Sequence, residues 1–286
     1  MADATNLKIG LALGAGGAAG LAHILMLEVF DELKLRPHRI AGASIGAIVG
    51  ALYASGLSAD RIRTLVEKHF VDEDERALSR LFKRGALRLV DFVDIELRRG
   101  GLLSGAEFYD FIYDTMKVDT FADLAIPMQI VAADFWNRQQ VVLDSGNIIP
   151  AISASMALPG VFQPVVLEGR VLIDGGLINP VPYDLLMDDC DLVVAVDVIG
   201  ERSQGRHEIP GYFETLFQSV KLMQAAIMQA KLNSAPPHIY VSPAVRDVRS
   251  LQFHKASEVL EQSLPAKNQL RSQLVAAIES HSNSAR

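Results

Sequence analysis

The stretch Ile40-Ala41-Gly42-Ala43-Ser44-Ile45-Gly46-Ala47-Ile48-Val49-Gly50-Ala51-Leu52 constrains this chain more than any other. It reads as a strand, a sharp turn and a helix, with a serine at the turn and a glycine two residues to either side. A turn of this kind forces the serine into a strained conformation and lifts its hydroxyl clear of the backbone. Strand and helix nearly touch there, and Gly42 and Gly46 leave the room. The residues from Ala47 to Leu52 give a helix with a small face, able to pack closely under a sheet. By itself the five-residue pattern more often marks an ordinary glycine-bracketed turn, so the rest of the chain has to decide.

One βα unit precedes the elbow. Lys8 to Leu13 read as a buried strand, Gly14-Ala15-Gly16-Gly17-Ala18-Ala19-Gly20 as a loop, and Leu21 to Leu33 as a mostly buried helix. Arg39 to Ala43 form the second strand and deliver Ser44 at its C-terminal end, the edge where open α/β sheets bind ligands. Right-handed connections then place the loop and Ser44 on one edge. The loop has three readings. Gly14-x-Gly16-x-x-Ala19 fits a loose dinucleotide fingerprint, but residues 34–43 contain no Asp or Glu to hold a ribose. A phosphate-binding P-loop fails because no Lys-Ser/Thr follows. The third reading is an oxyanion hole: glycine-rich backbone at a helix N-terminus presents N–H donors with no side chains in the way. Beside an elbow serine, the third is the most economical.

A serine hydroxyl needs a group to take its proton. The usual partner is a histidine held by a carboxylate. His238 and His254 fall late enough in the chain, yet neither sits in a convincing strand-end loop, and His23 lies in the first helix. A carboxylate acting directly is the alternative. Asp174 follows the apolar run Val171-Leu172-Ile173 and precedes Gly175-Gly176, an arrangement that holds a carboxylate at a strand end and raises its proton affinity by burial. An Asp-Gly turn is its bland counterpart. Asp134 and Asp197 also end strands, without glycine behind them.

The remaining chain supplies scaffold. Strands are expected at residues 126–134, 139–143, 165–173 (a hairpin turning at Glu168-Gly169-Arg170), 192–198 and 239–241. Helices are expected at residues 58–70, 104–116, 148–158, 212–232 and 256–280. Residues 71–118 change character and form the expected helical cap. Within it, 76–99 is a basic amphipathic stretch able to lie on an anionic membrane surface or to face water. A disordered tail is expected at 281–286. At 286 residues and 50% hydrophobic content the chain builds one large α/β domain, residues 1–286. A net charge of −7 argues against a nucleic-acid partner. Cys190 alone gives no disulfide framework. No secretory signal, membrane span, EF-hand loop or His-Glu-x-x-His motif is read, so the expectation is a cytoplasmic protein without metal or cofactor, touching the inner membrane surface at most peripherally.

Four stretches in order, Gly14–His23, Gly42–Gly46, Ala154–Phe162 and Asp174–Gly176, resemble the landmarks of the patatin-like phospholipases, particularly their small bacterial members. The resemblance spans roughly residues 8–198. It implies a three-layer α/β/α fold with a mostly parallel central sheet and a Ser–Asp dyad without histidine. Ser44 would be the nucleophile, Asp174 the base, and the N–H groups of Gly16, Gly17 and Ala18 the oxyanion hole. Substrates would be fatty-acyl esters. The family's loop usually carries Arg or Lys where this chain has Ala19, and glycine where it has Ala15. Losing that cation leaves the backbone donors in place, so ester hydrolysis survives the change better than phospholipid specificity does. The alternatives are a non-catalytic membrane- or partner-binding member and, further off, a dinucleotide-binding oxidoreductase.

Overall fold

The computed structural model describes residues 7–68, 112–200, 209 and 211–284. Strands β1 (Ile9–Leu13), β2 (Arg39–Ala43), β3 (Met128–Asp134), β4 (Gln139–Leu143), β5 (Val165–Leu167), β6 (Arg170–Asp174), β7 (Leu192–Val196) and β8 (Ile239–Val241) form one sheet. Its order is β5-β6-β3-β2-β1-β7-β8, with β4 paired to β3. The five strands from β3 to β8 along that order run parallel, and β4, β5 and β6 add an antiparallel flank. Strands buried on both faces read as unbroken apolar runs, and β1 and β7 are buried at every residue.

Alternation along the strands sorts the two faces. Leu11, Leu13, Ile40, Val194 and Val196 pack against α1 (His23–Glu32), α2 (Ile45–Ala54) and α6 (Ala256–Ser284). Ala12, Ala41, Val193 and Ala195 face the other layer, where Tyr183 and Leu186 of a 3₁₀ turn meet Met228 of α5 (Tyr212–Ser234). The result is the expected α/β/α sandwich. α3 (Ala59–Val66) is capped by Ser58, whose hydroxyl accepts from the Arg61 N–H. Glu28 of α1 pairs with Arg63 of α3 and with Lys267 of α6, tying three helices together.

Several boundaries differ from expectation, two of them in ways that change how the chain is read. The helix after the first loop begins as a 3₁₀ turn over Gly17–Ala22 and becomes α-helical only at His23, because the glycines draw the chain tight before the apolar periodicity takes over. The last helix runs through His281 to Ser284, past the start of the expected tail, with the Ser282 hydroxyl bonded back to the Ile278 carbonyl. Most of the expected cap, including the basic stretch 76–99, lies outside the described residues, of which 112–116 are helical. Among the described residues no helix is long and apolar enough to cross a membrane.

Candidate active site

The register of β3 explains how two residues 130 positions apart meet. Ile130 and Val131 pair with Gly42 and Ala43 of β2 on one edge and with β4 on the other. Further along, Ala132 to Asp134 pair with β6 and again with β4. β2 and β6 therefore share one edge of β3 and run toward each other. Ala43 ends opposite Val131, and Asp174 ends opposite the next residue, Ala132. Ser44, the first residue past β2, comes out facing the carboxylate that ends β6.

The hydroxyl of Ser44 donates to Asp174 Oδ2 at 2.7 Å. Ser44 has φ 54° and ψ −122°, the left-handed strain the elbow requires. The glycines around it have no room for a side chain: a Cβ on Gly46 would stand 2.1 Å from the Leu13 carbonyl oxygen, and one on Gly42 2.7 Å from that of Gly46. The strained backbone is also held by a contact absent from the sequence expectations. The Ser44 N–H donates to the hydroxyl of Ser155, 2.9 Å away and fully buried at the end of α4 (Ile148–Ser155).

Asp174 is buried, with 3% of its surface exposed. Its Oδ1 accepts from the Gly176 N–H at 2.7 Å and its Oδ2 takes the Ser44 hydroxyl. Burial pushes the carboxyl up to about 6, while those two hydrogen bonds hold it from rising further. A carboxyl near 6 is largely ionised at neutral pH, and this one accepts the hydrogen bond of the Ser44 hydroxyl. Gly175 behind it presses against β3 so tightly that a Cβ would stand 2.0 Å from the Val131 carbonyl oxygen.

The rival groups are engaged elsewhere. Asp134 accepts from the N–H groups of Trp136 and Asn137, as a turn residue does. Asp197 accepts from the Ile199 N–H and from the Tyr240 hydroxyl at 2.7 Å. His23 is buried and donates a ring N–H to the Gly14 carbonyl at 2.8 Å; burial lowers it to about 4, so it stays neutral. His238 accepts from the Val193 N–H near the start of β7, the edge of the sheet away from Ser44. His254 is exposed and lines no part of the cavity that holds Ser44.

That cavity is walled by Ala15, Gly16 and Gly17 of the first loop, by Ser44 and Asp174, and by a long apolar surface. The apolar part comes from α2 and α3 (Ile48, Leu52, Ile62 and Val66 among them), from Ile112, from Met156 and Phe162, and from Phe217 of α5. The three proposed oxyanion donors do not share one fate. Gly16 and Gly17 line the cavity, and their N–H groups bond to no described residue. The Ala18 N–H donates instead to the Ser250 carbonyl at 2.8 Å, so that amide is committed to the fold. Nothing in the local sequence signals Ser250, 232 positions away.

Comparison with known proteins bears on this arrangement. The model of a family described as patatin-like phospholipase matches residues 11–187. An uncharacterized NTE family protein of Mycobacterium bovis is 32% identical over 197 residues, covering 68% of this chain and 50% of that protein. The neuropathy target esterase of Drosophila melanogaster is also 32% identical over 197 residues, which cover 68% of this chain and 13% of the fly protein. The chain thus spans about half the length of the mycobacterial relative and far less of the fly one. Among solved structures, VipD from Legionella pneumophila aligns at 14% identity and TM-score 0.48, over 92% of this chain and 67% of that one. Human GIVD cytosolic phospholipase A2 aligns at 11% identity and TM-score 0.45, over 96% and 60%.

Proposed function

Because this chain belongs to the patatin-like phospholipase family, we propose that it is a serine acyl hydrolase that cleaves fatty-acyl esters with Ser44 as nucleophile and Asp174 as base. The observation that carries the reading is the 2.7 Å hydrogen bond from the Ser44 hydroxyl to the buried Asp174 carboxylate, made at the wall of an apolar cavity.

The proton transfer needs only two groups already in contact. Ser44 Oγ attacks the ester carbonyl as its proton passes to Asp174 Oδ2. The carbonyl oxygen, now negative, is received by the N–H groups of Gly16 and Gly17, each such donor contributing about 3–4 kcal/mol in comparable sites. The tetrahedral intermediate collapses, the bond to the alcohol breaks, and that alcohol leaves with the proton from Asp174. Water then attacks the acyl-enzyme, giving its proton to Asp174, which returns it to Ser44 as the fatty acid departs. Ile48, Leu52, Ile62 and Ile112 offer the acyl chain an apolar seat.

A panel of p-nitrophenyl esters and phospholipids of graded chain length, run on wild type and Ser44→Ala, tests the reading. Hydrolysis by wild type and none above background by the variant is the expected result. Undiminished hydrolysis in Ser44→Ala would refute it.

A further inference from the structure

Charge is scarce in the cavity that holds Ser44. Among the described residues that line it, only Asp174 and Lys221 carry an ionisable side chain. Asp174 is satisfied by Ser44 and Gly176. Lys221, on α5, is partly buried and makes no hydrogen bond or ion pair with any described residue. Burial holds its ammonium below the usual lysine range, and no carboxylate of a described residue offsets it. Lys231, farther along the same helix, shows the contrast: its ammonium reaches Asp184, Asn179 and the Val181 carbonyl. A partly buried cation with no partner among the described residues is costly unless an anion arrives.

Its position is defined from two sides. Gln224 lies one turn on, close to Lys221 on the helix surface, and its Nε2 donates to the Gly176 carbonyl at 3.1 Å. Gly176 in turn holds Asp174. On the other side, the Lys221 ammonium lies 4.0 Å from where a Cβ on Gly200 would stand. Gly200 lies two residues after Val198, the residue against whose carbonyl Gly16 is packed. Lys221 therefore lines the same cavity as Asp174 and the first loop, whose residues 14–20 carry no charge of their own.

We propose that Lys221 binds the phosphate of a glycerophospholipid or lysophospholipid while Ser44 attacks its acyl ester, and so selects phosphate-bearing esters over neutral ones. The inference rests on the acyl-hydrolase reading. In such lipids the phosphate is separated from the acyl ester by no more than the three-carbon glycerol unit, so one cavity can hold both. An ammonium bonded to phosphate is a charge-assisted pair. A neutral ester leaves the cation unpaired and gains nothing from it.

The test compares kcat/KM for lysophosphatidylglycerol with that for the monoacylglycerol of the same chain. In Lys221→Met the ratio of the two should fall by roughly ten- to a hundredfold, and Lys221→Arg should restore it to within about threefold. An unchanged ratio in Lys221→Met overturns the proposal, whether or not both activities drop together. A second arm measures calorimetric binding of a non-hydrolysable ether lysophosphatidylglycerol to Ser44→Ala protein with and without Lys221→Met. At least tenfold weaker binding in the double variant is expected; equal binding overturns the phosphate site. If wild type cleaves only the monoacylglycerol, the phosphate site falls and the hydrolase reading stands. If it cleaves neither while ether-lipid binding still depends on Lys221, the hydrolase reading falls and the phosphate site stands.

Discussion

The parallel and antiparallel parts of the sheet contribute to the site in different ways. β1 and β2 lie side by side and parallel, and each hands its chain to a turn at the same edge: the first loop with its amides, then the elbow with Ser44. β6 comes from the opposite direction and ends on Asp174. The parallel part presents backbone and a strained hydroxyl, the antiparallel part a buried charge. Their difference teaches that Ser44 and Asp174, the proposed nucleophile and base, are joined by one strand, β3, whose consecutive residues Val131 and Ala132 set the ends of β2 and β6.

Substitutions can break the comparison from either side. The largest effect is expected from the parallel side: Ser44→Ala should lower kcat for an ester by a factor on the order of 10⁴ or more, read against heat-killed enzyme. Asp174→Asn should cost roughly 10³-fold or more in kcat/KM, with a thermal midpoint at pH 8 equal to wild type or above it. The sign follows from burial. Folding raises this carboxyl from 3.8 to about 6, so the charged form is disfavoured in the folded state. Its contribution to stability is most favourable below pH 3.8 and is lost as pH rises through about 6, a difference on the order of 3 kcal/mol that Asn avoids. Activity has the opposite slope: kcat/KM for a neutral ester should drop about tenfold per unit as pH falls below about 6, because a protonated Asp174 accepts nothing.

Smaller effects sharpen the symmetry. Gly46→Ala and Gly175→Ala each drive a methyl into a strand carbonyl, at 2.1 and 2.0 Å. Both should lose about 3 kcal/mol or more in urea unfolding, one from each side of the junction. Ser155→Ala removes the acceptor of the Ser44 N–H and should cost about 1–3 kcal/mol in stability, with a modest fall in kcat.

How much of this was legible in the sequence follows the same division. The elbow, the loop and the strands that lead into them are local, so spacing and glycine placement revealed them, and β2 begins and ends where expected. The β5–β6 hairpin was equally local, turning at Glu168 and Gly169 with φ 50° and 75°. Asp174 was legible as a strand-end carboxylate before two glycines, but its meeting with Ser44 depends on register across β3, which no local pattern encodes. Ser155 lies within the Ala154–Phe162 stretch, but nothing there marks its hydroxyl, since an N–H acceptor has no signature beyond its residue type. The family resemblance implies Ala18 in the oxyanion hole, but its N–H donates to the carbonyl of Ser250, from the far end of the chain. Lys221 and Gln224 belong to a helix whose sequence reads simply as long and mixed; only its docking brings them to the cavity.

The claim beneath all of this is that Asp174 activates Ser44 directly, with no histidine between them. It is tested most directly by the rate of fluorophosphonate labelling, with the adduct mapped by peptide mass spectrometry. Wild type should carry the adduct on Ser44, and folded Asp174→Asn should label roughly 10³-fold more slowly. Labelling of Asp174→Asn at the wild-type rate, or an adduct on any other residue, would contradict the account.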